Sequence, residues 1–144
     1  TGLSDIDQIK PQEVNQGDLH SYWNLGFTID TDNLQCTAKD FAAAVSAEGI
    51  PMGGPYIGSG NVGPLYRNPF LSTPNLYGNG KFPLDYERDT PVDYQQVSCP
   101  NGEAIMNRNV SILMKPSFSE DDVSDIIEAI CKVADRARRG ALAP

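Results

Sequence analysis

His20 is the only histidine in the chain, and histidine is the side chain that most often acts as a general base. A nucleophilic triad requires such a base beside the nucleophile. His20 lies close to Asp18 and just before a predicted strand, which indicates a structural or substrate-facing histidine. One histidine and three dispersed cysteines, Cys36, Cys99 and Cys131, do not predict a zinc site. We therefore assign no catalytic residue and no metal ligand.

Residues 58–63 match the GxGxxG pattern of dinucleotide-binding sites. That pattern functions only between a strand and a helix whose N-terminus holds the pyrophosphate. Pro55 interrupts the preceding strand, and Pro64 and Pro69 leave no uninterrupted helix behind the motif. The sequence therefore argues against a dinucleotide site here.

The motif lies in a long region, residues 50–97, in which glycine and proline recur between aromatic residues. Aromatic residues are more frequent here than in a disordered linker. Glycine and proline are too frequent for a long helix or strand. An ordered loop region is the better interpretation, and long loops in compact domains often carry function. We expect binding residues here, although packing within the loop explains the same aromatic residues.

The last third of the chain predicts a strand followed by a long helix. Val110–Met114 is an apolar run that stops at Pro116, and from Val123 to Ala137 the apolar residues recur every three or four positions. Two capping-box patterns fit the start of this helix: Ser117 with Glu120, or Ser119 with Asp122. The apolar face of such a helix must pack against another element, and we expect that element to be a sheet.

An earlier strand and helix supply partners for that face. Trp23, Leu25, Phe27 and Ile29 alternate with more polar residues, as expected for a strand with one face on a core. A turn follows at residues 30–33, and a second helix is predicted over residues 37–48. The fold class is α/β in the α+β two-layer sense: a small antiparallel or mixed sheet covered by helices on one face.

The formal net charge of −8 argues against binding to a phosphate backbone, so no nucleic-acid partner is expected. Unpaired cysteines fit a cytoplasmic protein, and no apolar run is long enough for a membrane span or a signal peptide.

Several short motifs occur together in a characteristic order. In chain order they are His20–Trp23, residues 41–51 (FAAAVSAEGIP), Tyr56, Leu65–Pro69 (LYRNP), Cys99–Ile105 (CPNGEAI) and Ser117–Val123 (SFSEDDV). In this order and spacing the chain resembles the C-terminal part of the DegT/DnrJ/StrS sugar aminotransferases, which are pyridoxal-phosphate enzymes of the aspartate-aminotransferase fold. The resemblance covers most of the chain from about His20 to Ala134.

The resemblance implies residues 17–138 as the small domain of such an enzyme, residues 1–16 as a connecting segment and residues 139–144 as a tail. The complete enzyme would transfer an amino group from glutamate or glutamine to a keto-sugar, in some cases nucleotide-linked, or to a cyclitol. The Schiff-base lysine and the other cofactor-binding residues belong to the family's N-terminal large domain. We therefore expect pyridoxal phosphate in the complete enzyme, and this chain alone to be inactive.

The resemblance also implies which residues contact substrate. Tyr56 follows the glycine–isoleucine pair as an aromatic residue does in relatives, and Tyr66 and Arg67 can stack on and hydrogen-bond a sugar ring. Lys115 stands where many relatives carry a histidine or an aromatic residue before the proline. With His20, these residues form the predicted substrate-binding set, and loop packing or a subunit contact explains the loop residues equally well.

A second hypothesis belongs to another class: a stand-alone α/β module that binds a small ligand or a protein through the loop region. The two hypotheses differ in the surface that they leave uncovered. A small domain without its large domain exposes an apolar face, so the first predicts self-association into a homo-oligomer.

Overall fold

The computed structural model describes residues 2–54, 64–72, 89–90 and 93–142. Its helices and strands, in chain order, are β1 (Ile9–Pro11), β2 (Asn24–Ile29), α1 (Ala38–Ala47), a 3-10 turn (Leu65–Arg67), α2 (Pro69–Ser72), a second 3-10 turn (Tyr94–Gln96), α3 (Pro100–Met106), β3 (Asn109–Leu113) and α4 (Glu120–Arg138). Contacts divide the chain into two units. The sheet unit is Thr1–Tyr56 with Asn107–Pro144, and the loop unit is Ile57–Met106.

In the sheet unit, three strands form an antiparallel sheet in the order β1-β2-β3. The register places Ile9 opposite Ile29, and Phe27 opposite Val110. Gly53 extends the sheet by one bridge beyond β3, because its N–H and C=O exchange hydrogen bonds of 2.8 and 2.9 Å with the backbone of Ser111. The fold is thus α+β, as predicted, and the sheet is antiparallel in every pairing.

The two long helices of the sheet unit begin where the sequence predicts. Thr37 caps α1 in a capping box with Asp40, and Ser119 caps α4 in a capping box with Asp122. Of the two alternatives for α4, the pair at 119 and 122 is the one formed. Each box satisfies backbone N–H groups that a helix leaves unpaired at its start.

One apolar core joins the helices to the sheet. The side chains of Phe27 and Val110 from the strands, Phe41 and Val45 from α1, and Ile130 from α4 are at most 1% exposed. At the surface, the Lys132 ammonium lies 2.6 Å from the Glu48 carboxylate and links α4 to the end of α1. The predicted strand, second helix and last helix therefore share a single core.

The structure differs from the sequence prediction at one segment and at three side chains. Residues 9–11, assigned to a connecting segment, form the edge strand, and Ile6 and Ile9 lie in the core. Trp23 falls on the predicted inner face but is 68% exposed, because it precedes β2 at the end of the sheet. Leu113 and Val123, also predicted inward, are 46% and 40% exposed.

Among the described residues, no helix combines the length and the apolar character needed to cross a lipid bilayer.

Candidate functional site

The loop unit brings two distant sequence motifs together through four residues, Tyr66, Arg67, Cys99 and Glu103, which we call the Tyr66 cluster. Tyr66 and Arg67 lie in the first 3-10 turn, and Glu103 lies in α3, which begins at Pro100. Proline suits the first position of a helix because its missing N–H would be unpaired there anyway. Because α3 begins at Pro100, Glu103 lies in its first turn, and this determines the position of the Glu103 carboxylate.

Glu103 is the centre of this cluster. The Tyr66 hydroxyl donates to Glu103 Oε1, which also accepts the backbone N–H of Cys99 at 3.2 Å and the Ser98 hydroxyl at 3.3 Å. Arg67 Nη2 lies 3.2 Å from the other carboxylate oxygen, Oε2. The Cys99 N–H also lies 3.2 Å from the Tyr66 oxygen. The Glu103 carboxylate thus contacts both the Tyr66 hydroxyl and the Arg67 guanidinium.

These contacts set the charge state of the cluster. Hydrogen bonds from the Tyr66 hydroxyl and the Cys99 N–H, with the Arg67 charge nearby, hold the pKa of Glu103 below its ordinary value of 4.5. Partial desolvation and the hydrogen bond to Glu103 raise the pKa of Tyr66 above 10.0. At neutral pH, Glu103 is therefore ionised and Tyr66 is protonated. The cluster is suited to bind and orient a ligand rather than to transfer a proton near pH 7.

Arg67 is the part of the cluster open to a ligand. Its guanidinium carbon lies 5.8 Å from the centre of the Tyr66 ring, and 56% of its side chain remains exposed. A guanidinium carries five N–H donors in a fixed plane, so the ion pair with Glu103 leaves others accessible. Such an arrangement can hydrogen-bond hydroxyl groups, or pair with a phosphate or carboxylate.

The sequence-predicted set is thus brought together only in part. Tyr66 and Arg67 are joined, whereas Tyr56 lies outside the described residues. His20 and Lys115 are exposed and lie beyond the same end of the β2–β3 pair in the sheet unit. The His20 ring stacks on Tyr22 with centroids 4.1 Å apart and planes inclined by 14°, so its observed contact is structural.

Glu103 is the residue that sequence reasoning missed. It is separated from Tyr66 by 37 positions, so spacing alone gives no sign that the two meet. The one available signal is its place in the first turn after Cys99-Pro100, where an acidic side chain favours the helix N-terminus.

The sheet unit carries a second feature, an open groove of about 620 Å³ beside Trp23. Its apolar lining includes Trp23, Pro51, Met52 and Leu113, with Asn24 and Ser111 as polar neighbours. Exposed tryptophan and leucine side chains beside a groove are typical of a surface that another protein segment covers.

Within the described parts of the chain, no three histidine, cysteine, aspartate or glutamate side chains are grouped so as to hold a metal ion. Comparison with protein-family models gives no match to this chain, and neither does comparison with curated proteins.

Proposed function

We propose that this chain is the C-terminal small domain of a pyridoxal-phosphate-dependent aminotransferase that acts on a keto-sugar or cyclitol, of the DegT/DnrJ/StrS type. One observation carries the proposal. The two motifs LYRNP and CPNGEAI, which are far apart in the sequence, contact each other through Tyr66, Arg67 and Glu103. A single substrate-binding site formed by both motifs would explain why both occur in this chain.

The sheet unit supports the same proposal. The motif at residues 20–23 leads into β2, the motif at residues 41–51 forms most of α1, and the motif at residues 117–123 begins α4. These three elements meet in the core that contains Phe27, Phe41 and Ile130. These three motifs therefore lie at or within elements of one core, that of the sheet unit, rather than at scattered surface sites.

The lysines within the described ranges do not fit a cofactor site. Lys10, Lys39, Lys115 and Lys132 are all exposed, and Lys132 is paired with Glu48. A Schiff-base lysine needs a sheltered pocket that lowers its pKa. In the proposed enzyme, pyridoxal phosphate supplies the electron sink and is held by another domain, so this chain alone is inactive.

The proposed role of this chain is substrate recognition. The Arg67 guanidinium, held by Glu103, would hydrogen-bond a sugar hydroxyl or the phosphate of a nucleotide carrier, and Tyr66 would provide an adjoining ring face. Because Glu103 fixes Arg67 before substrate arrives, less side-chain freedom is lost on binding. The groove beside Trp23 would be covered by the N-terminal large domain or by a second subunit.

Kinetics of the complete gene product test this role. We expect Arg67→Met to lower kcat/KM for the keto-sugar by about 10- to 100-fold, mainly through KM, because hydrogen bonds to a charged group are lost. Arg139→Met is the matched control, since Arg139 is 74% exposed and pairs only with Asp135 among the described residues. An unchanged KM for Arg67→Met would contradict the role of the Tyr66 cluster.

The sequence of the gene upstream of this chain distinguishes the proposed enzyme from the alternative, a stand-alone binding module. A reading frame that continues upstream into a lysine-bearing cofactor domain supports the proposed enzyme. A native start codon at this boundary would overturn it.

A further inference from the structure

The outer edge of β3 is open at its last residue, Leu113. Ser111 exchanges backbone hydrogen bonds with Gly53 on the side away from β2. Residues along a strand direct their N–H and C=O groups alternately to its two sides, so Leu113 directs its own groups to the same outer side. Neither group bonds to the backbone of another described residue. The edge at Leu113 can therefore pair with another extended segment.

The opposite edge of the sheet, formed by β1, is closed to such pairing. The Ile9 N–H, which faces outward, donates to the Ile6 carbonyl at 3.0 Å, and Pro11 has no N–H. An edge strand without free N–H groups is a poor template for another strand. Within the described part of the sheet, extension is thus favoured at the Leu113 edge.

Residues 18–22, which precede β2, form an extended segment that we call the 18–22 segment. Asn15 fixes its start, because its amide donates to Asp18 Oδ2 at 3.1 Å and its carbonyl accepts the Asp18 N–H at 3.0 Å. The rings of His20 and Tyr22 stack, as side chains two residues apart do on one face of an extended chain. Leu19 lies on the other face and is 98% exposed. A segment of this kind can add to a sheet edge as a further strand.

The 18–22 segment complements the Leu113 edge in polarity and charge. The Met114 N–H donates to the Trp23 carbonyl at 2.9 Å, so Lys115, one residue further on, lies on the opposite face of the sheet from Trp23. Leu19 and Asp18 lie on opposite faces of their segment in the same way. Leu19 can therefore enter the apolar groove beside Trp23 while Asp18 meets Lys115. Neither charge forms a salt bridge with another described residue.

We propose that two copies of this chain pair through these surfaces, and that each places its 18–22 segment along the Leu113 edge of the other. Both surfaces adjoin Trp23 at one end of the sheet, so rotation about a two-fold axis exchanges the segments reciprocally. Each copy uses the same two surfaces, and the β1 edge is closed, so assembly ends at a dimer. The inference does not rest on the proposed aminotransferase function.

Sedimentation velocity of the 144-residue chain at several concentrations tests the proposal. We expect a monomer–dimer equilibrium, and the emission of Trp23, the only tryptophan, should shift to shorter wavelength as dimers form. Leu19→Asp should weaken dimerisation about 100-fold or more, because each dimer loses two buried leucine side chains. Val14→Asp, at a 42% exposed position in the same β1–β2 connection, is the control and should not weaken it. Circular dichroism should show that both variants remain folded, since both positions are exposed.

A charge exchange tests the contact between Asp18 and Lys115. Asp18→Lys and Lys115→Asp should each weaken dimerisation about tenfold, because like charges would then face each other, and the double variant should restore it. Lys10→Asp, at an exposed position in β1, is the control and should have little effect. A chain that is monomeric at millimolar concentration, or that forms assemblies larger than a dimer, would overturn the proposal. Dimerisation unaffected by Leu19→Asp, or not restored in the double variant, would overturn it as well.

Discussion

Replacing Ile130 with alanine removes a fully buried side chain from the inner face of α4, where it is 0% exposed in the core shared with Phe27 and Val110. The substitution deletes about three methylene equivalents, worth about 0.8 kcal/mol each in transfer free energy. The cavity left between helix and sheet adds to this cost because the surroundings relax only in part. We therefore expect the free energy of unfolding to fall by about 3–4 kcal/mol.

Urea denaturation followed by circular dichroism measures this loss. Ile105→Ala is the matched control, because it deletes the same atoms from a helical isoleucine that is 59% exposed. We expect the control to cost less than about 1 kcal/mol. If Ile130→Ala cost no more than Ile105→Ala, α4 would not be a main source of the sheet unit's stability, and the reasoning would be refuted.

Three further predictions concern the helix cap, the cluster and the groove. Ser119→Ala should lower the free energy of unfolding by about 1 kcal/mol, because it breaks the capping box of α4, and an unchanged urea midpoint would contradict this. The stabilising effect of ionised Glu103 is fully present above its ordinary pKa of 4.5 and is lost as the pH falls through its lower folded pKa, so the Tyr66 ring signals should titrate below pH 4.5 in NMR spectra. The same signals should not titrate there in Glu103→Gln, and a midpoint at or above 4.5 in the unmodified chain would count against the cluster. Trp23→Ser should weaken self-association of the chain about 30-fold, measured by sedimentation, because a 68% exposed indole is lost from the groove, and an unaltered association constant would show that the groove is not the contact surface.

Local signals in the sequence predict the helices well. Thr37 with Asp40 and Ser119 with Asp122 are short-range patterns, and a capping box depends on residues only three positions apart. The C-terminal signal is equally local, since Gly49 adopts a φ of 97° after α1, a conformation that glycine adopts without strain.

Long-range features escaped prediction for physical reasons. β1 has only three residues, too few to show a period, and its pairing with Ile29 joins distant parts of the chain. Alternation predicts Trp23 on the inner face, but it does not show that the strand begins only at Asn24, and Trp23 is 68% exposed. Likewise, Tyr66 and Arg67 could be predicted as a binding pair, but Glu103 joins them only through the folding of the loop unit.

In the proposed function, this chain completes a pyridoxal-phosphate enzyme whose cofactor site lies in another domain. The most direct measurement is the visible absorbance of the complete gene product compared with that of the 144-residue chain, each incubated with pyridoxal phosphate and dialysed. We predict that the complete product retains the cofactor's visible absorbance and transfers an amino group to a keto-sugar, whereas the chain alone does neither. A complete product that does not retain the cofactor, or a 144-residue chain that catalyses the transfer by itself, would contradict the account.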